Sequence, residues 1–268
     1  METRPLVSIF VPLYKSRPFL SNIKANLEAL SYQPVEVLIS DRHLLDDTLE
    51  HLQNSFGQQA GYQFFKAQNG LGWVGHYNFL LRQARGRYYR FMPHDDHFVP
   101  DTTHLLVQAL FQNPKAVLAY GPIWHYFHSD PEQTLHYPED YTVVPNSQPW
   151  TLDLAFKMDR KKLCPGAFKG LIDLQKVKAH QLQMKEVGFL DDRPFLTALA
   201  LLGRFVFVPE AKSIKRLAPT TASSGWLEKA ENSANQKMLK STRRAYLQQI
   251  IKSPLRRWRA KRLLHYYH

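Results

Sequence analysis

The sequence predicts an α/β protein with a mostly parallel central sheet and helices on both faces. Three observations predict this class: short β-branched runs, helical patterns that alternate with them, and polar residues that follow several runs. Strands that alternate with helices form βαβ units, whose strands are parallel and buried on both faces. The chain has 268 residues, which suffices for one large domain, or one domain with an appendage.

Five strand-like runs lie in the first half of the chain. They cover 7–11, 35–40, 62–65, 88–92 and 116–120. A helix is predicted after the first run, where Ser16 and Pro18 supply a capping hydroxyl and a first-turn proline. Apolar residues then recur every three or four positions, as one face of a helix requires. Further helices are predicted after 46–47, over 77–83 and from 101 to 111.

The second half of the chain is less regular. Residues 126–165 are rich in Pro, Asp, His and Tyr, and they are predicted to form a long irregular excursion. Helix or strand signals return over 179–184, 194–202 and 204–208. From 226 onward the pattern is helical, with a break at Pro254. We therefore predict a main domain over 1–215 and a helical extension over 216–268.

The positive charge is concentrated at the C-terminus. The net charge is +12, and the chain from Lys237 onward has ten Lys and Arg and no Asp or Glu. This basic tail fits a solvated helix, a surface for anionic lipid headgroups, or non-specific nucleic-acid binding. Trp258, Tyr266 and Tyr267 favour the lipid surface, where amphipathic rings settle at headgroup depth. No specific nucleic-acid partner is expected.

Three further features predict a cytoplasmic protein. A single cysteine, Cys164, excludes an intramolecular disulfide and suits a reducing compartment. The N-terminal residues lack a signal-peptide pattern. The longest apolar run, 195–203, is far shorter than the ~18 residues of a membrane span. The basic tail adds the expectation of peripheral contact with the inner face of the plasma membrane.

Polar side chains follow three of the predicted strands. Tyr14 follows the first, Asp41 the second, and the pair Asp95–Asp96 the fourth. In open sheets of this kind, ligands bind beyond the carboxyl ends of the strands. Carboxylates fixed there suit a divalent cation held against phosphate oxygens. The arrangement predicts a nucleotide crevice that takes Mn²⁺ or Mg²⁺.

Four blocks in order resemble the family 2 glycosyltransferases, whose catalytic domain has the GT-A fold. They are the opening strand with Pro12 and Tyr14, the segment 36–48 with Asp41, the set Asn69, Asn78, Ala84, Gly86 and Tyr88, and the acids at 95–96. The chain departs from the pattern at three positions. Pro93 replaces the first acid of the metal motif, Arg42 replaces a second Asp, and Lys15 replaces an Asn.

The resemblance implies a role for each matching residue. Pro12, Tyr14, Asp41, Asn78 and Asp95 would bind the nucleotide, and Asp95 with Asp96 would hold the cation. Asp192, with Asp191 as the second choice, occupies the place of the acid that deprotonates the acceptor. Bland interpretations also fit: Asp41 as a turn cap, Asn78 as a tie between a loop and a helix, and the last two acids as helix N-caps.

By the same resemblance, the chain is an inverting, hexosyltransferase-type glycosyltransferase of polysaccharide biosynthesis. Its nucleotide-sugar donor would be a UDP-sugar by default, bound by a nucleotide half (1–120). The sugar would be transferred to the hydroxyl of a glycan or lipid-linked acceptor, bound by an acceptor half (121–215). Two alternatives stay open. One is a metal-dependent hydrolase or nucleotidyltransferase that uses His94, Asp95, Asp96 and His97, with His125 and His128 nearby. The other is a non-catalytic GT-A binding module.

Overall fold

Seven strands form one sheet in the computed structural model, which describes residues 4–67, 71–127, 134–138, 141–157, 166–188, 190–217, 233–254, 257–258 and 260–262. The described residues contain nine strands in all: β1 (Val7–Leu13), β2 (Val35–Asp41), β3 (Tyr62–Lys66), β4 (Tyr88–Phe91), β5 (Ala116–Tyr120), β6 (Ile123–Phe127), β7 (Leu171–Asp173), β8 (Arg204–Phe207) and β9 (Ser213–Leu217). The order in the large sheet is β3-β2-β1-β4-β7-β5-β8, and only β7 runs antiparallel to its neighbours there.

Helices cover both faces of this sheet, which confirms the predicted fold class. They are α1 (Leu20–Glu28), α2 (Thr48–Phe56), α3 (Trp73–Gln83), α4 (Thr102–Gln112), α5 (Leu152–Lys157), α6 (Leu174–Ala179), α7 (Asp192–Leu202) and α8 (Ser233–Ile250). Successive β1 side chains enter different cores, as the pleat of a strand requires. Phe10 packs with α3 and α7, whereas Ile9 and Val11 pack with α1, α2 and α4. All three are fully buried.

Three features of the second half differ from the prediction. Residues 126–165 include a helix, α5, and β6 pairs in parallel with β9 to form a small second sheet. The backbone N–H of His97 donates to the carbonyl of Ile214 at 3.1 Å, so β9 docks on the segment that follows β4. The signal over 179–184 was also misplaced, since α6 ends at Ala179. Long-range pairing of short strands leaves no periodic signal in the sequence.

The C-terminal helix α8 packs against the main body of the protein. The Tyr246 side chain is fully buried in the same core as Phe195 of α7. Its hydroxyl accepts the N–H of Lys185 at 2.8 Å and donates to the carbonyl of Gln183 at 2.9 Å. The predicted division at 215 falls within β9. Across the described part of the chain, no helix has the length and apolar composition of a membrane span.

A buried carboxylate ties the start of β2 to β1 and to the turn before β4. Glu36 is 2% exposed. It accepts hydrogen bonds from the Ser8 hydroxyl at 2.5 Å, from the Arg85 backbone N–H at 2.5 Å, and from the Gly86 N–H at 3.1 Å. Burial opposes ionisation, but the bonds from Ser8 and Arg85 outweigh it and hold the pKa of Glu36 below its ordinary value of 4.5.

We expect Glu36→Gln to lower the free energy of unfolding by about 2 kcal/mol at pH 7, because an amide replaces a carboxylate that accepts several hydrogen bonds. A lowered folded-state pKa contributes stability that is complete above the unfolded value and is lost as the pH falls through the folded value. The difference in the free energy of unfolding between wild type and variant should therefore become smaller below about pH 4.5. Urea unfolding at pH 7 and pH 3.5 measures this difference. A difference that is larger at pH 3.5 than at pH 7 would contradict a lowered pKa for Glu36.

Candidate active site

Three of the predicted site residues lie at one edge of the large sheet. β1 and β2 are parallel and in register, with Leu13 opposite Asp41, and β4 runs parallel on the other side of β1. Their carboxyl ends therefore meet at the same edge, as the sequence predicts. Tyr14 and Asp95 follow β1 and β4, and Asp41 ends β2.

The Tyr14 ring is exposed, and two positively charged side chains lie beside it. The Arg42 guanidinium lies 4.1 Å from the ring centroid, and the Lys15 ammonium lies 5.7 Å away. Arg42 also donates to the carbonyl of Leu71 at 3.2 Å, which ties the loop after β2 to the start of α3. Pro12, in β1, is half-buried next to them. Two of the three departures from the family pattern, Arg42 and Lys15, thus add cations around an aromatic ring.

Asp41 combines a turn-capping oxygen with an open one. Its Oδ1 accepts the backbone N–H groups of His43 and Leu44 at 2.9 and 3.0 Å. The residue is buried, and within the described ranges no donor reaches Oδ2. The turn cap that the sequence allowed is therefore real, and it leaves one carboxylate oxygen that can accept from a ligand.

The segment after β4 carries Asp95 and Asp96 in different settings. Asp95 is half-buried. Asp96 is buried, and its carboxylate is paired with the Lys169 ammonium. Asn22 and Asn26 on α1 donate to the Asp96 carbonyl at 2.9 and 2.8 Å, which holds the segment against the helix.

The two histidines that flank these acids are engaged elsewhere. His94 Nδ1 lies 2.6 Å from the Ser16 hydroxyl, and its ring stacks on Phe19 at 4.6 Å. Burial lowers the pKa of His94, although Asp95 and Asp96 oppose the shift. His97 Nε2 lies 2.9 Å from the Tyr126 hydroxyl.

The donor set fits a divalent cation through Asp95. Hard cations take oxygen ligands and are often held by one or two carboxylates plus substrate phosphates. Asp96, the second predicted metal ligand, has the Lys169 ammonium as its partner instead. No group of three His, Cys, Asp or Glu side chains in the described ranges is arranged to hold a metal. A preformed hydrolase cluster at His94–His97 is therefore not seen, and His128 lies outside the described residues.

The adjacent acids at the start of α7 are not equivalent. Asp191 is buried, and its Oδ1 accepts the N–H groups of Val187 and Gly188 at 2.5 and 3.0 Å. Its Oδ2 accepts the Trp73 indole N–H at 2.6 Å. Asp192 is half-buried, and no described residue bonds to its buried Oδ1. Asp191 therefore has a structural role, whereas Asp192 has an uncommitted oxygen.

Asn78 ties α3 to the segment before α7. Its amide donates to the Met184 carbonyl at 2.8 Å, and its oxygen accepts the Met184 N–H at 2.9 Å. Because both ends of the amide are occupied, the geometry favours the structural interpretation over nucleotide contact. The sequence analysis missed three residues near the candidate site. They are Trp73, Lys169 and Lys215.

Comparison with protein families identifies the family of the chain. The model of the family described as "Glycosyl transferase family 2" matches residues 8–170, more than half of the chain. The chain belongs to glycosyl transferase family 2. An uncharacterized glycosyltransferase of Haemophilus influenzae is 26% identical over 117 residues, 44% of this chain and 46% of that protein. A chondroitin synthase of Escherichia coli is 30% identical over 38% of this chain and 15% of its own length. The matched part thus spans less than half the length of these relatives.

Solved glycosyltransferases share the fold of this family 2 chain. Staphylococcus aureus TarS in complex with UDP-GlcNAc superposes with a TM-score of 0.67 at 14% identity, covering 96% of this chain and 70% of TarS. The mannosyltransferase PcManGT from Pyrobaculum calidifontis, in complex with GDP-Man and Mn²⁺, gives a TM-score of 0.59 at 16% identity, covering 98% and 71%. These likenesses show the GT-A fold.

Proposed function

We propose that this chain transfers a hexose from a nucleoside-diphosphate donor to an acceptor hydroxyl with inversion at the anomeric carbon. The observation that carries the proposal is the meeting of Tyr14, Asp41 and Asp95 at one sheet edge, in a chain of glycosyl transferase family 2. A UDP-sugar is the first donor to test, since a structural neighbour binds UDP-GlcNAc. GDP-sugars are the second, since another binds GDP-Man.

The donor would lie along the edge from Tyr14 to Asp95. The exposed Tyr14 ring and Pro12 offer apolar faces for a base, and the open oxygen of Asp41 accepts a hydrogen bond from a base N–H or a ribose hydroxyl. Arg42 and Lys15 place positive charge beside the ring. Asp95 would hold Mn²⁺ or Mg²⁺ on the diphosphate, where the ion supplies Lewis-acid stabilisation of the departing charge.

Asp192 is the proposed general base. Its uncommitted oxygen takes the proton of the acceptor hydroxyl, and the acceptor oxygen bonds to the anomeric carbon from the face opposite the diphosphate. The bond from that carbon to the diphosphate oxygen breaks, and its electron pair leaves with the diphosphate. The carboxylates of Asp96, Asp192 and Asp95 all raise the pKa of the half-buried Lys215, which supports the proposal of a base near the phosphate end of the site.

The acceptor is proposed to be a growing glycan, free or linked to lipid, as in polysaccharide biosynthesis. The support is a relative named as a chondroitin synthase and the excess of Lys and Arg after residue 236. Those side chains would attract an anionic membrane surface, at about 1 kcal/mol for each residue near it. Peripheral attachment to the inner face of the plasma membrane is part of this proposal.

A thermal-shift panel tests the donor site. UDP, GDP, CDP and dTDP are each added with and without Mn²⁺ to wild type, to Asp95→Ala, and to Glu50→Ala as a control that removes an exposed helix carboxylate. A ligand at about 100 times its Kd stabilises the folded state by about 2.7 kcal/mol. We expect one diphosphate to raise the Tm, with Mn²⁺ adding to the rise in wild type and in the control variant.

Asp95→Ala should lose the increment that Mn²⁺ adds. If Mn²⁺ alone stabilised wild type as strongly as Mn²⁺ with a diphosphate, a preformed metal centre and the hydrolase alternative would replace this proposal. If no diphosphate raised the Tm in any condition, the donor site would be refuted. Binding without any turnover of UDP- or GDP-sugars would leave the non-catalytic module as the better description.

A further inference from the structure

Two lysines lie at the phosphate end of the candidate site. Lys169 belongs to the short 3₁₀ turn Ala167–Lys169, which immediately precedes β7, and its ammonium is paired with the carboxylate of Asp96. Lys215 lies in β9, which docks through Ile214 on the backbone of His97, one residue after Asp96. Two elements that are distant in sequence, the turn Ala167–Lys169 and β9, thus each place a lysine near the segment that follows β4.

Lys215 is a half-buried lysine whose ammonium has no partner in the described part of the chain. Burial lowers its pKa, and repulsion from Lys169 lowers it further. The carboxylates of Asp96, Asp192 and Asp95 act in the opposite direction, but none of them forms an ion pair with it. An unpaired cation that is partly removed from water is costly, since the lost hydration is not offset by a contact. Such a group is stabilised when an anion binds beside it.

The charge around these lysines suits a diphosphate. Lys169 cancels the charge of Asp96, and Pro93 stands where the family pattern has another acid. Of the two acids at 95–96, Asp95 is therefore the one whose negative charge is not neutralised by a described lysine and remains available to bind a cation. A site with fewer uncancelled acids repels a diphosphate less, and two fixed ammonium groups attract it.

We propose, resting on the proposed function, that Lys169 and Lys215 bind the donor diphosphate directly and neutralise part of its charge without a metal ion. Lys215 contributes an ammonium that none of the described residues pairs with, and Lys169 shares its ammonium between Asp96 and a phosphate oxygen. Asp95 with a divalent cation then adds to this binding instead of being its precondition. The chain thus replaces part of the family's metal chemistry with lysines.

Calorimetric titration tests this assignment on the full chain. UDP and UMP, and GDP and GMP, are titrated into the protein in EDTA and again in Mn²⁺. We expect wild type to bind one diphosphate in EDTA, and Lys215→Met to weaken that binding roughly ten- to hundredfold, the range of a charge-assisted hydrogen bond. The monophosphate should bind wild type and variant nearly equally, since the effect belongs to the second phosphate.

Matched variants separate charge from folding. Lys169→Met should show the same loss, but it leaves the Asp96 carboxylate buried without a partner, so Lys169→Arg is added to keep the charge and restore binding. Lys115→Met removes an exposed lysine at the opposite edge of the sheet, before β5, and should bind like wild type.

The outcomes distinguish this inference from the proposed function. If wild type binds a diphosphate in Mn²⁺ but not in EDTA, or if Lys215→Met and Lys115→Met bind equally in EDTA, the lysines are not phosphate ligands and the inference is overturned while the donor site stands. If no diphosphate binds in either condition, the proposed function itself fails.

Discussion

Asp192→Asn should reduce the rate of sugar transfer by about 10²- to 10⁴-fold, the usual contribution of a general base. The amide keeps the size of the carboxylate but cannot accept the acceptor proton. Because the oxygen that is lost has no partner among the described residues, the fold should tolerate the change. The loss of a negative charge in the first turn of α7 costs at most about 1 kcal/mol.

The measurement is steady-state release of nucleoside diphosphate in the presence of acceptor, with donor affinity determined separately. We expect kcat to fall while the Kd of the diphosphate stays within about twofold, since the base acts on the acceptor. Thr197→Ser, on the same helix and buried, serves as a control for general effects of substitution in α7. A variant that transfers sugar at the wild-type rate would remove Asp192 from the mechanism.

Asp191→Asn should instead destabilise the fold, by about 2 to 4 kcal/mol. The carboxylate accepts three N–H groups, from Val187, Gly188 and Trp73, and the residue is 1% exposed. An asparagine amide presents N–H to at least one of these donors and leaves it unsatisfied, and each such buried group costs about 1–3 kcal/mol.

Urea unfolding followed by tryptophan fluorescence measures this effect. Protein that remains folded in the absence of urea should keep much of its kcat, in contrast to Asp192→Asn. Trp73→Phe removes the indole donor and leaves a smaller aromatic ring, and it affects one of the three hydrogen bonds of Asp191, so its cost should be smaller than that of Asp191→Asn. If Asp191→Asn were stable but inactive, the roles of the two acids would be exchanged.

The sheet edge could be predicted from the sequence because its residues follow strongly patterned strands. The run Ala116–Tyr120 coincides with β5, and β2 continues one residue beyond its predicted end to include Asp41. The residues that end or follow parallel strands in register lie at one edge of the sheet. The strand pattern alone therefore sufficed to predict that Tyr14, Asp41 and Asp95 lie at the same edge. The choice of Asp192 over Asp191 followed the family pattern and stays a prediction, which the hydrogen bonds of Asp191 support.

The rest depends on long-range contacts that no local pattern encodes. β7 has three residues and lies antiparallel between β4 and β5, which is how Lys169 reaches Asp96 across 73 positions. Lys215 is an ordinary lysine in sequence, and only the docking of β9 on His97 gives it carboxylate neighbours. Asn78 was assigned to the nucleotide by the resemblance, whereas both ends of its amide bond to Met184.

Amide hydrogen exchange with and without a diphosphate tests the central claim most directly. Exchange reports local protection segment by segment, so it locates a ligand without assuming its site. With UDP or GDP and Mn²⁺, we predict slower exchange in three segments that are distant in sequence, 14–17, 41–45 and 94–97, and little change along α2 and α8. Protection confined to other segments, or no protection with any diphosphate, would contradict a nucleotide-sugar site at the carboxyl ends of β1, β2 and β4.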